Sequence, residues 1–448
     1  MLSTPQAEAR VADLIAAARR AGADAADAVY VGEASTHVSM RLGALEDVGR
    51  SEGEEIGLRL FVGQRSASVS SSDLSADALR ALVERGVAMA REAPEDRFAG
   101  LAPEDRLLRG EGPELDIDDG GTVTPQQLRE RAAEAEDAAR AIAGVTNSEG
   151  AGASASRSVI ALATSAGFAR GYGATGYACS ASVIAGEGAA MQRDSAYRSA
   201  RHWADLEASD AIGRRAGERA VSRVNPRKIA SGAMPVVFDP RVGASLLGHL
   251  LGAITGAAIA RRTSFLLDRV GTPVFAPGIT IRDDPHRPRG LRSKPFDGEG
   301  LPTAASDIVA DGVLTGWLMD SASARQLGLA PTGHASRGTS GAPGAGASNV
   351  HMAPGTISRD ALIGDIARGV LVTELIGQGV NGVTGDYSRG AAGFLIEAGA
   401  IGPPVAEITI AGNLKEMFAN LVPADDLRFT RALDVPTVRI DGMMVAGA

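Results

Sequence analysis

Cysteine occurs once in 448 residues, at Cys179. A single thiol excludes an intrachain disulfide and a Cys-rich zinc site. Lysine is nearly as scarce: all but three of the 45 basic residues are arginine, the exceptions being Lys228, Lys294 and Lys415. Amine chemistry therefore has three candidates. No apolar run reaches the ~18 to 20 residues of a membrane span. The longest, "LLGHLLGAITGAAIA" over 246–260, is interrupted by His249. Basic residues form no dense run either, and the net charge is -9, so neither nucleic acid nor a membrane is an expected partner. The opening "MLSTPQAEARVADL" lacks the basic and apolar regions of a signal peptide, and a cytoplasmic location is expected.

What is present is glycine, 56 residues of it, and enough length for two domains. The pattern predicts an α+β protein. An N-terminal α/β domain over 1–228 should carry helices on an antiparallel sheet, and a β-rich C-terminal domain should occupy 229–448. In the first, Val11, Leu14, Ile15 and Ala18 recur at helical spacing, with Ser3 or Thr4 as cap and Pro5 in the first turn. "GLRLFVGQRSASVS" reads as a hairpin. Helices follow at about 75–93, 124–143 (Thr124 cap, Pro125 first) and 205–223, with alternating strands over 153–199. In the second, "PVVFDP" is a strand, 241–258 a helix, and 333–349 a Gly-rich loop or covering flap.

The helix over 241–258 invites a search for zinc. A catalytic zinc needs three protein ligands, two of them a turn apart when a helix supplies them. His249 has Leu250 after it and Ala253 one turn on; read as a second ligand, it would be preceded by Ala244 and Ser245. A packed structural histidine is the expectation. Ala244, Gly248, Gly252, Gly256 and Ala260 recur every four residues and would form a stripe for close backbone approach, a reason to keep glycine inside a helix. Asp283, Asp284 and His286 suit a cation by spacing but stand among arginines. No nucleophile elbow or phosphate loop occurs. The dense polar segment is "GQGVNGVTGDYSRGAAGF", where Asn381, Asp386, Tyr387, Ser388 and Arg389 lie among glycines. Turn chemistry explains the Asn, Asp and Gly; Tyr, Ser and Arg leave contact with a partner or peptide open beside a structural loop. A self-contained hydrolase using Asp386, Ser388 and Arg389 is an alternative, though it lacks a base.

"GVNGVTGDYSRGAAGF", "EITIAGNLKEMF", "IDGMMVAG", and "GHLLGAITG" followed by "RRTSFLLD" resemble the PmbA (TldE) branch of the TldD/PmbA proteins, and the resemblance runs the length of the chain. It implies a two-domain fold and a place in a cytosolic metalloprotease pair acting on peptides and unfolded segments. In that family the TldD-like member carries zinc on a His-Glu-x-x-x-His helix with a later Cys. Those ligands map onto no residue here. The resemblance thus implies a non-catalytic subunit without a cofactor of its own, with zinc in a TldD-like partner. A free-standing homodimeric scaffold is the third reading.

Overall fold

The computed structural model describes residues 1–447. Its N-terminal half is built on one long antiparallel sheet. Helix α1 (Thr4–Arg20) comes first, with Ser3 as N-cap, its amide donating to Gln6 Oε1 at 2.9 Å. Strands β1 (Ala25–Arg41), β2 (Ala44–Val62) and β3 (Arg65–Ser71) follow, then α2 (Ala76–Glu92) and α3 (Pro125–Arg140). Strands β4 (Val145–Thr164), β5 (Ala169–Ala185), β6 (Gln192–Ala200) and helix α4 (Ser209–Ser222) complete it. The strand order is β3-β2-β1-β4-β5-β6. Period two decides which side chains meet the helices. Ala28 and Tyr30 of β1, with Leu58 and Leu60 of β2, pack under Leu14 of α1 and Leu82 of α2. Farther along, Cys179, Ala181 and Val183 of β5 lie under Ala139 of α3 and Ile212 of α4.

Strand β6 is an edge, and α4 blunts it. Carbonyls of Arg193, Ser195 and Tyr197, at alternate positions, accept from Arg223 (3.2 Å), Arg219 (3.1 Å) and Arg198 (3.1 Å). Those guanidinium groups occupy acceptors that another strand would use.

The C-terminal half begins with β7 (Gly232–Phe238) and α5 (Pro240–Ala253), then α6 (Gly256–Ala260). Short strands β8 (Ile281–Asp283), β9 (Ser306–Ala310) and β10 (Val313–Leu314) precede α7 (Ser321–Leu327). Next come β11 (Ala335–Ser336), β12 (Gly344–Ala345), β13 (Val350–Met352) and α8 (Arg359–Gly364). The chain ends through β14 (Arg368–Ile376), β15 (Asp386–Glu397), β16 (Ala400–Asn413), α9 (Leu414–Ala419), β17 (Leu421–Pro423), β18 (Leu433–Asp434) and β19 (Val438–Ala446). The larger sheet runs β16-β15-β14-β7-β19-β17, and a further pairing of β16 with β19 closes it into a barrel-like ring. Closure removes edges and encloses a core that includes Val236, Phe238, Leu246, Ile410 and Phe418.

One expectation changes and another is narrowed. The helix expected over 241–258 ends at Ala253, because the Ile254 carbonyl and Gly256 amide are diverted to Leu318, at 2.9 and 2.7 Å. Thr255 caps the new helix, and a Cβ at Gly256 would overlap Ser323 and Met319. The Gly-rich stretch 333–349 is a covering flap in a literal sense: a Cβ at Gly57 of β2 would overlap the Thr339 carbonyl.

Between the flap and the sheet lies a buried ionic cluster. Asp27 stands opposite Arg59 in the β1–β2 register, on the sheet face away from α1 and α2. Arg59 Nε donates to Asp27 Oδ2 at 3.0 Å, and Arg337 of the flap pairs with the other carboxylate oxygen. Glu299 lies 4.0 Å from Arg59. None of the four side chains is more than 5% exposed. Burial alone would raise the Asp27 pKa, but the charges of Arg59 and Arg337 outweigh it and hold the carboxyl below its ordinary range.

Removing Asp27 leaves two buried guanidinium groups sharing one distant carboxylate, so Asp27→Asn should cost about 3 to 5 kcal/mol in urea unfolding. A loss under about 1 kcal/mol would show that the cluster does not hold the flap to the sheet. Glu299 responds to pH in the opposite sense to Asp27. Burial pushes its carboxyl up to about 6, the Arg59 charge being committed to Asp27. A folded-state pKa above the unfolded ~4.3 means stability is present in acid and lost as pH rises; about 2 kcal/mol should go between roughly pH 4 and 7. Glu299→Gln should flatten that part of the stability profile, and a profile identical to wild type would refute the assignment.

Candidate functional site

The segment 377–394, left open as a contact surface or a structural loop, is a turn running into β15. Asn381 Oδ1 accepts from the Val383 amide at 2.9 Å and the Thr384 amide at 3.3 Å, and Gly385 at φ +87 returns the chain. Asp386 accepts from Thr384 Oγ1 at 2.6 Å and from Asn413 Nδ2 at 3.1 Å. From there strand alternation divides the candidates. Asp386 and Ser388 are exposed, whereas Tyr387 is 1% and Arg389 8% exposed.

Asn381, Asp386, Tyr387 and Ser388 border one open groove of about 650 Å³; Arg389 does not. Asp386 and Arg389, opposite charges three residues apart in the sequence, do not brace one another, because residues three apart on a strand point to opposite faces. Tyr387, expected as an amphipathic contact surface, is instead a core residue that packs in the barrel with Leu246 and Ile410. The hydrolase alternative gains no support: Arg389 lies on the other face from Ser388.

The inner face carries the relation that matters. His249 of α5 meets the Tyr387 ring edge-on, centroids 6.0 Å apart. Its Nε2 and the Tyr387 hydroxyl are both buried without a hydrogen-bond partner. Burial first, and the Arg389 charge second, lower the His249 pKa, so the imidazole is neutral. A zinc ion would need further donors and a surrounding that tolerates positive charge. Here the neighbouring charge is a guanidinium. The residues present do not fit the metal: among those described, no three His, Cys, Asp or Glu side chains converge as ligands.

The other candidates are occupied elsewhere. Asp283 accepts from the Ser348 amide at 3.0 Å, Asp284 from the His286 amide at 3.0 Å, and His286 Nε2 pairs with Thr303 Oγ1 at 2.9 Å. Cys179 lies in the N-terminal core, its thiol pushed up to about 11 by burial. The glycine stripe is corrected as well. A Cβ at Gly248 or Gly252 would meet nothing within 4 Å, and only Gly256, beyond the helix break, is tightly enclosed. Spacing of four aligned the glycines, but among the described residues no neighbour packs on α5 at Gly248 or Gly252. Sequence reading missed Asp27, Arg59, Glu299 and Arg337. The one signal was Arg59 itself, a charge inside the apolar run "GLRLF".

Gly252→Leu should therefore change the isolated chain's stability by less than about 0.5 kcal/mol, while Tyr387→Ala, cutting into the core, should cost about 3 to 5 kcal/mol. Thermal melts of the two variants test both placements, and equal shifts would contradict them.

Comparison with known proteins agrees with this architecture. Family models match three stretches: PmbA/TldA metallopeptidase domain 1 over residues 26–90, the central domain over 118–224 and the C-terminal domain over 231–447. The first two share the N-terminal six-stranded sheet, β3-β2-β1-β4-β5-β6. The chain is 40% identical over 412 residues to Metalloprotease PmbA of Escherichia coli O157:H7, covering 92% of this chain and 89% of that protein. Against the Metalloprotease PmbA homolog of Haemophilus influenzae it is 36% identical, covering 96% and 94%. A crystal structure described as a putative modulator of DNA gyrase from Bacteroides thetaiotaomicron superposes with TM-score 0.92 at 27% identity over 100% of both chains. TldE from Thermococcus kodakarensis shares the fold, with TM-score 0.88 at 22% identity over 98% of this chain and 100% of that one. The chain belongs to the PmbA/TldA (TldD/PmbA) metallopeptidase family, on its PmbA/TldE branch.

Proposed function

We propose that this protein is the non-catalytic subunit of a cytoplasmic two-subunit metalloprotease, pairing with a zinc-bearing TldD-like partner and presenting peptide or unfolded segments to it. The observation that carries the reading is the surrounding of His249: one neutral imidazole beside Tyr387 and the cationic Arg389, where zinc chemistry needs a set of donors. Family membership supplies the metalloprotease context. Two surfaces are open for partner or substrate: the groove by Asn381, Asp386 and Ser388, and the side of α5 bearing Gly248 and Gly252. The chain's part in the chemistry is then to bind and orient, holding a segment so that the partner's metal meets it.

An affinity-tagged chain should capture from its own cell lysate a protein bearing a His-Glu-x-x-x-His helix. Peptidase activity should appear in the pair, be lost to chelators, and survive His249→Ala. Stoichiometric zinc in the isolated chain that disappears with His249→Ala, or chelator-resistant peptidase activity in the chain alone, would overturn the reading.

A further inference from the structure

A second cleft, of about 380 Å³, lies between β6 and α4 on one side and the N-terminus of α5 with the loop 426–437 on the other. Six arginines line it: Arg198, Arg219, Arg241, Arg359, Arg428 and Arg431. Three aspartates accompany them, and each is engaged. Asp239 caps α5, accepting from the Arg241 amide at 3.0 Å. Asp426 accepts from the amide and hydroxyl of Thr437, both at 2.7 Å, and Asp434 accepts from the amides of Thr430 and Arg431 at 3.0 and 2.9 Å.

Among the described residues, no carboxylate comes within 4.0 Å of Arg219, Arg359, Arg428 or Arg431. Arg219 donates only to the Ser195 carbonyl; Arg431 donates to the Arg241 carbonyl at 3.0 Å and lies over the Tyr197 ring at 5.0 Å. In a chain with 54 acidic and 45 basic residues, four arginines left without acid partners in one cleft is a concentration of charge that folding does not require. Repulsion is felt there. Burial, then the Arg241 charge, lowers the Arg219 pKa to about 10. The start of α5, a helix of 14 residues, adds its positive end.

We propose that this cleft binds the carboxylate groups of an acidic peptide segment, a substrate class that deepens the peptide-handling reading and rests on it. Planar guanidinium forks match carboxylates two bonds at a time. Pro240, Leu433 and Val435 line the same cleft and offer an apolar surface for the stems of glutamate side chains. Free phosphate has the same charge complementarity but no use for that surface.

The test is fluorescence anisotropy of the full-length chain with labelled hexaglutamate and, as a neutral control, hexaglutamine. Hexaglutamate should bind more tightly, and rising salt should weaken it alone. The double variant Arg359→Gln, Arg428→Gln removes two side chains that make no hydrogen bond or ion pair among the described residues, so its melting temperature should hold while hexaglutamate affinity falls about tenfold. Equal binding of the two peptides, or hexaglutamate binding unchanged in the variant, overturns the proposal. Inorganic phosphate displacing hexaglutamate at comparable concentration would identify a free-anion site and overturn the peptide assignment. Capture of the zinc-bearing partner is read separately: capture without acidic-peptide preference refutes this cleft alone, and acidic-peptide binding without capture refutes the two-subunit reading alone.

Discussion

Asp27 is shared by two arginines, one from its own sheet and one from a flap more than 300 residues further along the chain, and the joining of the two halves depends on that sharing. A buried carboxylate with a single partner seldom recovers its desolvation cost. With two partners and a distant Glu299, the cluster has a defined geometry, and a displaced flap would leave charge buried and unpaired. The apolar contacts around it, Val29 and Leu162 of the sheet against Phe296 and Leu301, supply area without direction. The ion cluster supplies register.

Arginine does this work elsewhere too, which makes sense of a chain with so little lysine. Arg325 satisfies three carbonyls of the N-terminal connector at once, those of Phe98 (2.7 Å), Gly100 (3.0 Å) and Leu101 (2.9 Å). Arg289 spans Asp116 and Asp205 at 2.6 and 2.9 Å. A fork with five donors can tie irregular backbone from separate segments where a compact ammonium would satisfy fewer groups in fixed geometry. Against that background the cleft between β6 and α5 stands apart, because four of its six guanidinium groups have no acid partner among the described residues.

Helix α5 is held by packing. Leu246, Leu247 and Leu250 keep it seated in the barrel core. Its polar side needs no metal to be placed. His249 meets Tyr387 edge-on, and burial first, with the Arg389 charge second, lowers the pKa of the imidazole. Two unpartnered polar atoms are the cost of that arrangement, a burden the large apolar core absorbs.

Much of the fold was readable from local pattern. Ser3 and Thr124 cap helices where the sequence places them, and the hairpin at Gly63 and Gln64 follows from alternation broken by a turn. The mixed α+β class follows from the same periods. That α5 offers a lone imidazole and no set of donors was readable too, because Ala244, Leu250 and Ala253 carry no ligating group. Tertiary structure decided the rest. Whether Tyr387 faces solvent or core depends on one residue of strand register, which composition near a turn does not reveal. The break at Ile254 depends on Leu318, 64 positions away, offering its backbone. The buried cluster joins Asp27 to Arg337 across 310 residues. Pairings at such separation leave no local period, so the sequence determined the elements and their faces, while three-dimensional packing decided which charges are paired and which are left free.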